Sequence, residues 1–406
     1  MRTSSIRSSR GRAVASAALG MLLVGIASVP AHAESIRSQQ WHLDTLGAEE
    51  IWKISTGKGV TVAVIDSGVD RNNGDLRGQV LTGKDFAPNE PGDQFTDSEG
   101  HGTGMAGLIA GTGKSGGGDG AFGLAPGAKI LPIRTPRSDK NKSKQANSDQ
   151  FNRVAPEAIR YAADSGAKVI NVSQGVISGS QQLTDAVKYA LDKGALVFAS
   201  VGNSGDKGNE AEYPGATPGV VGVGAIDKKL MKTAESQYGP QVDMVAPGNK
   251  IVHACTYATG LCTSSGTSDA TALASAAAAL IWAKHPDWTN HQVLKVMLNT
   301  IKLPAGGEKR NDQIGYGAIR PLRALNTPGD PGPADVRPIP DLAVAETASP
   351  SAAPSKAGEQ SAAPAPGPVA QEDSGSNTGL WIGLGIGAAV LIGAAIAVPV
   401  IRSRRS

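Results

Sequence analysis

Residues 59–65, Gly-Val-Thr-Val-Ala-Val-Ile, are apolar and mostly β-branched at successive rather than alternate positions, and they run straight into Asp66. A strand buried on both faces of a parallel sheet has that pattern, so the run predicts an interior strand that delivers Asp66 at its C-terminal end. A second strand is predicted over 129–133. Two stretches of small residues, 102–111 and the Ala-rich 270–284, predict helices packed closely on a neighbour, and a further helix is expected over 154–165. Between that second strand and that helix, 134–153 is polar and contains Lys and Asn, the composition of a surface insertion. Strands alternating with helices predict an α/β domain with a mostly parallel sheet.

The pattern changes at both ends of the chain. Arg2, Arg7, Arg10 and Arg12 precede an apolar run over 13–29 and then Ala31-His32-Ala33, the layout of a secretory signal cleaved after Ala33. Residues 379–401 carry no charge and are followed at once by Arg402, Arg404 and Arg405. A single membrane-spanning helix is expected there, in the cell membrane, with the basic tail cytoplasmic and all that precedes the helix extracytoplasmic. Residues 327–378 are rich in Pro, Ala, Ser and Gly and lack the apolar periodicity that buries a core, which predicts an extended, disordered stalk. The expected order is signal peptide 1–33, short N-terminal extension 34–56, one folded domain 57–326, linker 327–378, transmembrane helix 379–401 and tail 402–406.

Charge and cysteine content refine this picture. The formal charge of +3 becomes −4 outside the membrane once the four signal and three tail arginines are set aside, and nothing points to nucleic acid. The two cysteines, Cys255 and Cys262, both fall in the exported part, where an oxidising exterior favours a disulfide. A loop this short gains roughly 2 kcal/mol by chain entropy, so the bond serves mainly to shape the segment before Ser268. No metal site is expected there, because His253 is the only further ligand nearby.

Three motifs carry the chemistry: Val64-Ile65-Asp66-Ser67-Gly68, Gly100-His101-Gly102-Thr103-Gly104 and Ser265-Gly266-Thr267-Ser268-Asp269-Ala270. Together they set Asp, His and Ser in that order. A serine hydroxyl becomes a nucleophile at neutral pH only if a base takes its proton, and an imidazole suits that task. A buried carboxylate orients the imidazole and stabilises the imidazolium. Ser268 is therefore the candidate nucleophile, His101 the candidate base and Asp66 the candidate orienter. Both His101 and Ser268 precede predicted helices, whose first N–H groups have no intrahelical partner and can face an oxyanion.

The chain resembles the subtilisin-like serine peptidase family from about Trp41 to Leu325, and the resemblance implies a three-layer α/β fold. It also implies further site residues. Residues 197–205, Val-Phe-Ala-Ser-Val-Gly-Asn-Ser-Gly, resemble the strand and turn that carry the family's oxyanion asparagine, here Asn203. Residues 169–175 resemble the strand lining the substrate cleft, with Ser173 and Gly175 as backbone contacts to an extended peptide. Residues 123–128 and 315–319 are also similar to family landmarks. Calcium is an option by resemblance, although no spacing demands it, and no other cofactor is expected.

Two departures stand out. Asp269 follows the nucleophile where the family usually has an apolar residue, and a carboxylate there opposes oxyanion charge unless it turns away or is neutralised. Ala272 and Ala276 replace the usual proline and glycine, which favours helix. A short extension in place of an inhibitory pro-domain, followed by a Pro-rich stalk and a membrane helix, resembles the mycosins, membrane-anchored subtilases associated with type VII secretion. The implied function is a serine endopeptidase that processes exported proteins beside a secretion membrane complex. The alternative is a catalytically weak subtilase scaffold that acts as an assembly component of such a complex.

Overall fold

The apolar runs become parallel strands. The computed structural model describes residues 35–138, 141–257 and 259–343. Seven strands, β1 (Thr61–Asp66), β2 (Lys84–Asp85), β3 (Lys129–Arg134), β4 (Val169–Val172), β5 (Leu196–Ser200), β6 (Val221–Ile226) and β7 (Met244–Pro247), form one sheet in the order β2-β3-β1-β4-β5-β6-β7. Every pairing in it is parallel. A separate antiparallel hairpin pairs β8 (Ile251–Ala254) with β9 (Leu261–Ser264), and the Cys255–Cys262 disulfide ties it with the Cα atoms 5.7 Å apart.

Successive side chains of β1 feed opposite layers, as a strand covered on both faces requires. Val62 and Val64 join one apolar cluster, and Ala63 and Ile65 the other. The first cluster holds α4 (His101–Ala110), α7 (Thr267–Lys284) and α8 (Asn290–Thr300). The second holds α5 (Lys144–Asp164) and α6 (Gln181–Asp192). The expected three-layer subtilisin-like arrangement is therefore present. After a short first helix, α1 (Ile36–Gln39), which buries no residue, α2 (Trp41–Leu46) and α3 (Ala48–Trp52) pack on the first layer through buried Leu43, Leu46 and Ile51. A further helix, α9 (Pro321–Asn326), lies beside α7 and α8.

Small residues set the spacing in the first layer. A Cβ on Gly102 would lie 2.2 Å from the Gly68 carbonyl oxygen, and one on Gly104 would lie 2.7 Å from Cε1 of His253. No side chain fits at either place. α7 is buried at every position from Thr267 to Trp282 and spans β4 to β7.

Three expectations need correction. The helix expected over 154–165 starts at Lys144, where Ser143 caps it by accepting from the Ala146 N–H at 3.1 Å. Its first turns face water, with Ser148 and Phe151 alone buried, so they show no apolar stripe. The stretch expected as a surface insertion over 134–153 thus shrinks, and Arg134 itself is buried, donating to the carbonyls of Ala87, Glu90, Pro91 and Asp93. The linker expected from 327 also starts too early, because 327–343 lies on the domain. Ile339 is buried, Asp341 accepts from the Gly219 N–H at 2.6 Å, and Asn299 and Gln292 donate to the Asp330 and Gly332 carbonyls. Side-chain donors of the domain bind that backbone, which apolar periodicity does not reveal. The expected signal peptide, the rest of the linker, the transmembrane helix and the tail lie outside the described residues. Among the described residues, no helix is long and apolar enough to cross a membrane.

Candidate active site

The C-terminal edge of the parallel sheet gathers the predicted residues, as expected where ligands bind in open α/β sheets. β1 ends in Asp66, β4 runs into Ser173, β5 leads to Asn203, and the N-termini of α4 and α7 bring in His101 and Ser268. Asp66, 1 % exposed, accepts at Oδ1 from His101 Nδ1 at 2.8 Å and from the Ser67 N–H at 2.8 Å. The other face of the His101 ring opens to a cleft of about 580 Å³ lined also by Asn203, Ser268 and Glu99. The Ser268 hydroxyl donates to the Ser173 carbonyl at 3.2 Å, and among the described residues no hydrogen bond joins it to His101.

Asn203 has its oxygen occupied, Oδ1 accepting from the Thr267 N–H at 2.8 Å and from the Thr267 hydroxyl at 3.2 Å. Its Nδ2 is left as a donor at the cleft, beside Ser268, whose own N–H lies in the first turn of α7 without an intrahelical partner. Ser173 is held from below: Ser275 donates to Asn171 Oδ1 at 3.0 Å, and Asn171 Nδ2 donates to Ser173 Oγ at 3.0 Å. The site therefore offers a hydroxyl, a carboxylate-bound imidazole and two N–H donors around one space, the groups that acyl transfer needs.

The subtilase family model matches residues 57–317. The chain belongs to the subtilase family. It is 37 % identical to thermitase of Thermoactinomyces vulgaris, over 58 % of this chain and 78 % of that protein. Its match to subtilisin E of Bacillus subtilis spans 59 % of that protein's length. Among solved structures it is similar to MycP1 from Mycobacterium smegmatis, with TM-score 0.63 and 28 % identity over 76 % of this chain and 89 % of that one. It is also similar to a chain of the periplasmic assembly from the ESX-5 inner membrane complex, with TM-score 0.65 and 25 % identity over 83 % and 91 %. This subtilisin-like serine peptidase thus has mycosins of type VII secretion among its structural neighbours.

Sequence reasoning missed Asp97. This buried carboxylate accepts from the Ser67 hydroxyl and Gly100 N–H, each at 2.8 Å, and at Oδ2 from the Thr103 N–H at 2.8 Å. It therefore caps α4 from four residues before His101 and links that helix start to the turn after Asp66. An Asp at that offset in a Ser- and Gly-containing loop was the only signal. Burial by itself would lower the His101 pKa, but the charge and hydrogen bond of Asp66 raise it to about 9. Burial, with the Asp66 charge adding to it, pushes the Glu99 carboxyl up.

The feared Asp269 proves to be spoken for. Its Oδ1 makes a short hydrogen bond with the Ser264 hydroxyl, which lies 2.8 Å from His253 Nε2, while His253 Nδ1 lies 2.7 Å from the Ala254 carbonyl. A carbonyl only accepts, so Nδ1 carries a proton. The two remaining contacts need two hydrogens, and Ser264 supplies one. A second proton therefore sits on Nε2 or on Asp269, and in either placement the Asp269–His253 pair is neutral overall. Burial raises the Asp269 pKa, against the opposing effects of His253 and Ser264. Among the described residues no three His, Cys, Asp or Glu side chains converge to hold a metal ion.

Proposed function

We propose that this subtilase is a membrane-anchored, extracytoplasmic endopeptidase that hydrolyses peptide bonds of exported proteins beside a type VII secretion complex. The observation that carries the reading is the 2.8 Å contact between Asp66 and His101 at the mouth of a cleft shared with Ser268 and Asn203. In the reaction a rotation about χ1 swings Ser268 Oγ from the Ser173 carbonyl toward His101 Nε2, an adjustment that substrate commonly induces. Ser268 then attacks the scissile carbonyl while His101 takes its proton, and Asp66 stabilises the imidazolium. The Asn203 amide and the Ser268 N–H receive the oxyanion. His101 passes its proton to the leaving amine. Water then repeats the cycle on the acyl-enzyme, with Ser173 and Gly175 lining the channel for the peptide backbone. The mycosin neighbours support the secretion partner, and the apolar, charge-free stretch 379–401 supports the anchor.

The alternative of a silent scaffold, motivated by Asp269 and by the mycosin resemblance, is not favoured, since Asp269 is engaged by Ser264 and His253 in its own network. Labelling of the purified full chain with a fluorophosphonate tests the proposal. Covalent labelling that disappears in Ser268→Ala, together with loss of processing of exported proteins in cells carrying that variant, is expected. A folded wild-type chain that takes no label overturns it.

A further inference from the structure

Glycines at the ends of β4 and β5 leave a slot beside the nucleophile, and a carboxylate lies in it. A Cβ on Gly175 would lie 2.3 Å from Glu212 Oε2, and a Cβ on Gly202 would lie 2.7 Å from Glu212 Cδ, so this one side chain spans both glycines. Gly202 immediately precedes Asn203, and Gly175 follows two residues after Ser173, whose carbonyl accepts from Ser268. Backbone hydrogen bonds between Val176 and Tyr213, at 2.9 and 2.7 Å, fix Glu212 next to Gly175.

The carboxylate is held on one side only. Gln237 is fully buried, and its Nε2 donates to Glu212 Oε1 at 2.9 Å and to Ser204 Oγ at 2.8 Å. Its backbone N–H donates to the Gly202 carbonyl at 3.0 Å, so the same residue anchors the glycine wall and the acid. Glu212 Oε2 has no hydrogen-bond partner among the described residues. Lys144 of α5, whose charge also acts on Glu212, hydrogen-bonds Glu210 at 2.9 Å. A peptide whose carbonyl oxygen points at Asn203 and whose carbonyl carbon meets Ser268 directs the side chain of that same residue between the β4 and β5 ends, toward Glu212. An anion fixed there attracts a cation and repels an acid.

We infer that Glu212 is a specificity-determining residue, and that the peptide residue whose carbonyl Ser268 attacks is Lys or Arg, with its charged end on Glu212 Oε2. The inference rests on the peptidase reading above. With one oxygen free, no two-pronged guanidinium fork forms, so Lys and Arg are both accepted.

The test uses the purified full chain, fluorophosphonate labelling, and peptidyl chloromethyl ketones ending in Arg, Lys or Leu, backed by fluorogenic peptides varied at the same residue. Arg and Lys are expected to exceed Leu by about 100-fold in inactivation rate and in kcat/KM, and Glu212→Gln should bring that ratio near unity while fluorophosphonate labelling persists. A labelled wild-type chain that reacts with the Leu ketone as fast as with the Arg ketone overturns the inference and leaves the peptidase reading intact. A ratio unchanged in labelled Glu212→Gln does the same. If wild type takes no fluorophosphonate, the peptidase reading falls and the inference falls with it. Because the wild-type ketone preference decides the matter alone, the inference stays falsifiable even if Glu212→Gln fails to fold.

Discussion

Two carboxylate–histidine arrangements sit within a turn of one another in this subtilase. Asp66 and His101 meet directly at the cleft, whereas Asp269 and His253 meet through Ser264 in its wall. Residue type does not separate them, since each has a buried Asp and a His in reach of a Ser. Their outer connections do. His101 has one nitrogen bound and a side chain 37 % exposed, so a second partner can arrive and leave. Both ring nitrogens of His253 are engaged, and the residue packs against Gly104 one turn along from His101. A proton can pass through the first arrangement and is confined in the second. Catalytic competence in such a pair therefore depends on what is left unbonded.

Severing the open pair should have the largest effect. Asp66→Asn removes the acceptor for Nδ1–H and the charge that favours the imidazolium. Loss of this group in comparable triads costs about 10⁴-fold in kcat, and a drop of that order in peptide hydrolysis is expected with the fold retained. The same substitution moves the pH profile. His101 must be neutral to take a proton, so wild-type kcat/KM should rise with pH until His101 deprotonates near pH 9, the value to which Asp66 raises it. Without Asp66 that limb should fall back toward the ordinary histidine range. In stability the sign runs the other way: the Asp66–His101 contribution is complete below the unfolded value of 6.5 and is lost as pH climbs through about 9. A rate limb that stays put in Asp66→Asn would show that the pair is not coupled as its geometry says.

The closed pair should answer in stability and hardly in rate. Asp269→Leu leaves Ser264 and His253 buried with one partner fewer, and breaking a buried charged network from one side costs about 3–5 kcal/mol, readable as a shift in denaturant midpoint. Asp269→Asn is the sharper probe of the proton count. Its amide N–H donates to Ser264, which then donates to His253 Nε2, and every hydrogen is placed without net charge. Its fluorophosphonate labelling should match wild type. A marked acceleration would mean that a naked carboxylate had been opposing the oxyanion after all.

The contrast between the two pairs also marks how far the sequence could be read. Asp66, His101 and Ser268 announce themselves because each ends a strand or starts a helix in a short local pattern, Asn203 follows from the family resemblance, and the fold brings all four to one sheet edge. The all-parallel sheet follows from the same local runs, with β1 apolar at consecutive positions. Relations made by packing between distant segments were not legible. Asp97 bonds back to Ser67, 30 positions away, and Glu212 meets Gly175 only because a loop after β5 returns across β4. The neutralising of Asp269 needed His253, whose part in it no spacing indicates. The start of α5 at Lys144 was hidden for a simpler reason, because a helix turn that faces water carries no hydrophobic signal.

A third histidine sharpens the comparison from the other extreme. His42 is fully buried on α2, and neither of its ring nitrogens has a hydrogen-bond partner. Burial, with the nearby His253 and Arg37 adding to it, pushes its pKa down to about 3, so it stays neutral while His101 readily charges. The linkage follows from that depression. Below 6.5 the unfolded chain binds a proton at this residue that the folded chain refuses, so stability is lost as pH falls from 6.5 toward 3, at up to about 1.4 kcal/mol per unit. One unit below 6.5 the effect is therefore only about 1 kcal/mol. His42→Leu removes the titration while keeping an apolar filler, so its stability curve between pH 6.5 and 4 should be flatter than that of wild type by about this slope. The rate limb near 9 should not move, because His42 does not touch the cleft. Parallel curves for the two proteins would mean that His42 finds water or a partner when it charges, and that burial alone does not hold a histidine neutral in this layer.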